Sequence, residues 1–162
     1  MPVNQPRQPL EGFSESRLYL REDELDRAVE LVFASARRFW KAAQGPLADQ
    51  GLTPAHYRTL AQIRRDEGLS VTALQTRLGV RKQSLARVLD ELSAADLIRR
   101  EPGRQDRRQR LLYLTETGRS AERVAADALR ARLAHVFRIA GADAVAGARI
   151  VLAALAAEDE GT

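Results

Sequence analysis

The sequence predicts a mainly α-helical protein with one small β-hairpin. Three observations carry that expectation. Apolar residues recur at helical spacing over most of the chain. Between Ser70 and Ala95 a short helix, a glycine-containing turn and a longer helix follow one another, a helix-turn-helix pattern. Two short apolar runs, Leu97–Glu101 and Gln109–Leu114, flank the polar, turn-rich stretch PGRQDRRQ. Such runs read as the strands of a hairpin with a long tip.

The elements are expected in the following order. Residues 1–20 carry prolines and polar residues, lack the apolar core of a secretion signal, and predict a flexible N-terminal arm. Leu25, Ala28, Val29, Val32, Ala36, Phe39 and Trp40 predict a helix over 22–44. Glu22, Asp23 and Glu24 suit its positive N-terminal end, and Gly45-Pro46 is expected to stop it. Thr53-Pro54 starts the next helix, a capping hydroxyl followed by proline at the first helical position. That helix is expected to end near Glu67, before Gly68. Ser70 then opens a short helix to about Leu78, and Gly79 supplies a left-handed turn at low cost. A longer helix from about Lys82 to Ala95 buries Leu85, Val88, Leu89 and Leu92. Thr115 caps a helix over 116–140, Gly141 breaks it, and a last, alanine-rich helix covers 142–157.

Length and composition bound the function. A chain of 162 residues fits one domain, or a small domain with helical extensions. It has no cysteine, which excludes disulfides, thiolate metal sites and cysteine nucleophiles and fits a cytoplasmic location. No stretch stays apolar for the roughly 18 residues a membrane helix needs. The net charge of +4 is unevenly spread: residues 51–120 hold 14 Lys and Arg against 8 Asp and Glu, the remainder 12 against 14. A basic middle segment is the footprint expected of a nucleic-acid surface, although charge alone also fits a solvated basic face. An enzyme needs convergent titratable groups. Here His56 and His135 lie far apart, and there is no glycine-rich phosphate loop. Metal-ligand spacing is missing as well. The expectation is a protein that is not an enzyme and needs neither cofactor nor metal.

The helix starting at Lys82 is long enough to lie in the major groove of duplex DNA, with its N-terminal residues toward the base edges. Those residues are Arg81, Lys82, Gln83 and Ser84, with Arg87 one turn further. Gln pairs with adenine and Arg or Lys with guanine. From Arg99 to Arg110, six of twelve residues are arginine. Arg104, Arg107 and Arg108 fall at the hairpin tip, where arginine suits a narrow minor groove or phosphate. Asp106 is expected to support the tip rather than touch DNA.

Residues 52–120 resemble the MarR family of regulators. The segments that carry the resemblance are LTPAHYRTLAQI, LSVTALQTRLGV and KQSLARVLDELSAADLIRREPGRQDRRQRLLYLTETGR. Within the family, KQSLARVL is similar to the PetP-like group. The resemblance implies a winged helix-turn-helix with a two-stranded β-hairpin wing and long terminal dimerisation helices. It implies that Asp106 pairs with Arg108, leaving Arg107 or Arg104 to enter the groove. It also implies a sequence-specific, double-stranded DNA-binding transcriptional regulator. In this family effectors often bind between the dimerisation helices and the DNA-binding lobe. Arg37, Trp40, His56 and Tyr57 are the candidates for lining such a ligand pocket, with ordinary core or surface packing as the alternative for each. The expected division is a DNA-binding domain at 46–115 and dimerisation helices at 21–45 and 116–157. The apolar stripes of those helices exceed what the central domain can cover, so a second copy is their simplest cover. A homodimer would read an inverted repeat. The alternative is a winged-helix module used for protein or RNA interaction.

Overall fold

The protein, represented by a computed structural model, is described over residues 20–103 and 106–157. The expected flexible arm, but for its last residue, and Arg104 of the wing lie outside the described residues. The chain divides into two compact units, residues 1–38 and 39–162.

Among the described residues, six helices and three short strands follow in order: α1 (Glu22–Ala48), α2 (Pro54–Arg65), β1 (Leu69–Ser70), α3 (Val71–Leu78), α4 (Lys82–Ala94), β2 (Ile98–Pro102), β3 (Arg110–Leu114), α5 (Glu116–Ala140) and α6 (Ala142–Ala157). This is the mainly helical winged-helix architecture that the sequence predicts.

One expected boundary is wrong. Gly45-Pro46 does not stop α1, which carries Pro46 inside it and ends at Ala48. The stop is Gly51, at φ +66. Leu52 N–H donates to the Leu47 carbonyl (2.8 Å) and Gly51 N–H to that of Ala48 (2.9 Å). This pair of bonds, with a left-handed glycine, is the Schellman closure of a helix. Proline removes one amide donor and strains the preceding turn. Here Ala43 and Leu47 flank it, both buried, and their packing holds the last turn in place.

Helices α2, α3 and α5 begin where side chains cap them. Thr53 Oγ1 accepts from the His56 amide (3.3 Å), and His56 Nδ1 accepts from the Thr53 amide (3.2 Å). This is a reciprocal capping box with histidine in the place usually held by Glu or Gln. Ser70 Oγ accepts from Ala73 N (3.1 Å) and Thr115 Oγ1 from Gly118 N (2.9 Å). Gly79 is left-handed at φ +61 and closes α3.

The sheet has the order β1-β3-β2 and is antiparallel throughout. The sequence predicts only the hairpin. The third strand, β1, pairs Leu69 with Leu112 and Ser70 with Leu111. Two residues are too few to show a strand period.

The core is formed by Leu60 and Ile63 of α2, Leu74 of α3, Leu85, Leu89 and Leu92 of α4, and Ile98, Leu112 and Leu114 of the sheet. The α4 leucines at i, i+4 and i+7 form one stripe, with Val88, expected to be buried, only half-buried at its edge, and the opposite side of α4 faces solvent. A second cluster joins Ala43 and Leu47 of α1 to Ala125 and Leu129 of α5. Beyond Leu129, α5 buries nothing, and neither does α6. Among the described residues no helix is long and apolar enough to cross a membrane.

Candidate nucleic-acid interface

Helix α4 begins without help. Arg81 occupies its N-cap and makes no side-chain capping bond, and the first turn holds no acid. A side-chain cap is worth about 1 kcal/mol, and cations at a helix N-terminus are disfavoured by about 0.3–1 kcal/mol each. The free amides and the charges of Arg81 and Lys82 therefore form an end suited to an anion. Arg81, Lys82, Gln83, Ser84 and Arg87 are all exposed. Leu85, next in the chain, is buried and fixes the rotation of the helix.

The wing sorts its arginines. Arg99 stacks on the Tyr113 ring, 4.5 Å from its centre, and pairs with Glu101. Arg100 reaches back to α4, donating to Asp90 Oδ1 (2.7 Å) and Ser93 Oγ (3.1 Å). Arg110 donates to the Arg107 carbonyl (3.0 Å). Among the described residues, the guanidinium groups of Arg107 and Arg108 have no partner. Arg108, Arg110 and Arg100 border a groove of about 690 Å³ whose far wall is Ser70–Ala73.

Asp106 shapes the tip, but not as the resemblance implies. Its Oδ1 accepts from the backbone N–H of Arg108 (2.8 Å), and its carbonyl accepts from Gln109 N (3.0 Å). These bonds make an Asx-type turn, so the carboxylate grips the Arg108 amide rather than its guanidinium. Gly103 closes the tip: a Cβ there would come within 2.7 Å of the Asp106 carbonyl oxygen.

The four candidate pocket residues separate. Trp40 and Tyr57 meet edge to face at 5.9 Å, both half-buried, and Phe39 meets Trp40 edge to face at the same distance. Burial, and then the Glu122 carboxylate, raise the pKa of the Tyr57 phenol. Glu122 is itself buried and paired with Arg64. Arg37 is an exposed residue of the first unit. His56 is buried and has both ring nitrogens occupied. Among the described residues no group of three His, Cys, Asp or Glu is placed to hold a metal.

A model of the MarR family matches residues 50–109. Over 87% of this chain and 85% of its relative, the sequence is 40% identical to the HTH-type transcriptional regulator PetP of Rhodobacter capsulatus. The chain belongs to the MarR family. It is similar in structure to the transcriptional repressor CouR bound to a 23-mer DNA duplex, with a TM-score of 0.69 and 26% identity over 85% of this chain and 98% of that one. CouR from Rhodococcus jostii RHA1 bound to p-coumaroyl-CoA shares the fold, with a TM-score of 0.68 and 24% identity over 78% and 89% of the two chains.

In this MarR-family regulator two residues that sequence reasoning passed over hold α4 to its neighbours. Arg100 ties β2 to α4, as described. Glu91 bridges Arg87 and His56: its Oε1 accepts from Arg87 Nε (2.8 Å) and its Oε2 lies 2.7 Å from His56 Nε2. The Arg87 bond and then that of His56 lower the pKa of the Glu91 carboxyl. The same contact raises that of Arg87. The i, i+4 spacing of Arg87 and Glu91 was a readable signal. The contact to His56, 35 residues away, was not.

Proposed function

We propose that this MarR-family transcriptional regulator acts as a homodimer on an inverted-repeat duplex site, with 46–115 as its DNA-binding domain. Helices from 21–45 and 116–157 join the two copies. Each copy lays α4 in a major groove, reading bases with Gln83 and Arg87 and phosphates with Arg81, Lys82 and Ser84. The wing brings Arg104, Arg107 and Arg108 to the neighbouring minor groove or backbone, and Asp106 supports it. The observation that carries this reading is the uncapped, cation-bearing start of α4. It costs the isolated protein stability and gains meaning beside phosphate. The DNA duplex in the CouR complex supports it. The reading includes no catalysis.

Control by a small organic ligand is part of the proposal. The Trp40–Tyr57 pair is its contact surface, supported by the p-coumaroyl-CoA bound to CouR. Both ring nitrogens of His56 are engaged within the fold, so its role is structural.

Selection from a pool of randomised duplexes tests the whole reading. The expected winner is an inverted repeat with half-site centres about one helical turn, roughly 10–10.5 bp, apart. An asymmetric winner, or one shorter than a turn, would overturn the two-fold reading. Preference for RNA, or failure to enrich any duplex, would favour a protein- or RNA-binding module instead.

A further inference from the structure

We infer that Glu91 is a positioning residue for DNA recognition, anchored by His56 from behind and holding the Arg87 guanidinium by its Nε in front. The inference rests on α4 being the DNA-reading helix.

An exposed i, i+4 ion pair is ordinarily worth about 0.3–0.5 kcal/mol and fixes neither side chain. Arg87 alone would be such a case, since its side chain is 82% exposed. The difference here is what stands behind the acid. Glu91 Oε2 meets His56 Nε2 at 2.7 Å, and the His56 side chain is only 9% exposed. The imidazole is itself held, because its Nδ1 accepts from the Thr53 amide at 3.2 Å. A ring nitrogen that accepts carries no proton, so in the neutral ring the proton sits on Nε2 and points at Glu91. The carboxylate is thus fixed from the α2 side and offers its other oxygen to Arg87. Arg87 uses Nε for that bond. Among the described residues its two terminal nitrogens have no partner, and they form the fork that pairs with guanine or phosphate.

The sign of the effect separates this role from bulk electrostatics. Glu91 is an acid on a surface meant for a polyanion. Long-range charge alone says that removing it strengthens binding to every duplex. Positioning says that removing it frees Arg87 to wander and weakens discrimination.

The test uses the full chain and the best duplex selected with it from a randomised pool, against a scrambled duplex of equal length. Glu91→Ala is expected to lower the preference for the selected duplex by roughly tenfold or more, with the loss at the base step that Arg87→Ala also relaxes. In an Arg87→Ala background, Glu91→Ala is expected to change that preference no further. His56→Gln is the second arm. Glutamine at this position keeps the capping box but leaves Glu91 unanchored. It changes no charge at the DNA face, and it should relax the same base step. Thermal unfolding identifies variants that fail to fold, and Glu91→Gln, which can accept from Arg87 or from His56 but not from both, stands in for Glu91→Ala should that fail. Tighter binding of Glu91→Ala with an unchanged base profile would overturn the inference. So would an equal loss in the Arg87→Ala background, or an unchanged profile in His56→Gln. If the parent chain enriches no duplex at all, the DNA-reading role of α4 falls and takes this inference with it. Enrichment by the parent without these effects removes the positioning role alone.

Discussion

Arg107 and Asp106 are neighbours with opposite charges, and their substitutions should both weaken DNA binding for different reasons. Arg107 is exposed and its guanidinium has no partner among the described residues. Removing it should leave stability within about 0.5 kcal/mol of the parent. If it meets phosphate or the minor groove, Arg107→Ala should flatten the slope of log affinity against log salt by about 0.9 per contact, or about 1.8 per dimer. Asp106 instead holds the Arg108 amide in the turn that aims the tip. Asp106→Ala should therefore weaken binding although the charge becomes more favourable. Anisotropy titrations at two salt concentrations read both. Tighter operator binding by Asp106→Ala would remove its supporting role, and an unchanged slope in Arg107→Ala would remove that residue from the interface. The sequence places both residues at a hairpin tip. It cannot tell which arginines are already engaged, because the partners of Arg99 and Arg100 are set by strand pairing and by the approach of α4.

Helix ends were the most legible feature at the scale of elements wherever a cap or a left-handed glycine stands at the boundary. Thr53, Ser70, Thr115 and Gly79 each sit where the sequence assigns them. The end of α1 shows the limit. Gly45-Pro46 resembles a stop, yet Gly45 is helical, where the absence of a Cβ spares it the clash with the Pro46 ring, and the stop is Gly51. The two glycines should therefore answer alanine substitution differently. Gly45→Ala should change stability by less than about 1 kcal/mol, since the better helix propensity of alanine is offset by the crowding of its Cβ against the Pro46 ring. Gly51→Ala should cost about 1–2 kcal/mol, the penalty of a left-handed conformation for a residue with a Cβ. Urea unfolding of the two variants measures the difference, and equal effects would contradict this ending of α1. Close approach at the start of α5 gives a further expectation. A Cβ on Gly118 would overlap the Leu97 carbonyl oxygen. Gly118→Ala should thus destabilise by about 1–3 kcal/mol, as overpacked cores do, and an unchanged unfolding midpoint would show that the contact gives way freely. The sequence also hides β1 and the His56–Glu91 link, because a two-residue strand has no period and a contact across 35 positions leaves no local pattern.

For the whole molecule the decisive fact is a helix that buries nothing. Every residue of α6 except Val145 is exposed, and Ile150, Val151, Leu152 and Leu155 are between half and three-quarters so. Helices with apolar residues on all sides are normally enclosed, and an alanine-rich helix of 16 residues is marginal alone in water. The second half of α5 repeats the pattern with Leu133, Val136 and Ile139. In the first unit Leu25, Val29, Val32 and Phe33 of α1 are likewise exposed. A monomer tolerates scattered single apolar residues rather than rows of them, and the proposed isologous dimer would cover such rows in both copies, burying upwards of about 2,000 Å² in all. On the proposed reading, two joined copies would bind two half-sites as one event and gain about 10²–10⁴-fold over a single copy. Ile150→Glu with Leu152→Glu keeps helix-forming residues while placing charge on two sides of α6. The double variant should sediment as a monomer at micromolar concentration, lose most of its affinity for a full inverted repeat, and bind an isolated half-site as the parent does. A variant that remains dimeric and binds the full site normally would show that α6 lies outside the interface, and the cover for its apolar faces would then have to come from another partner.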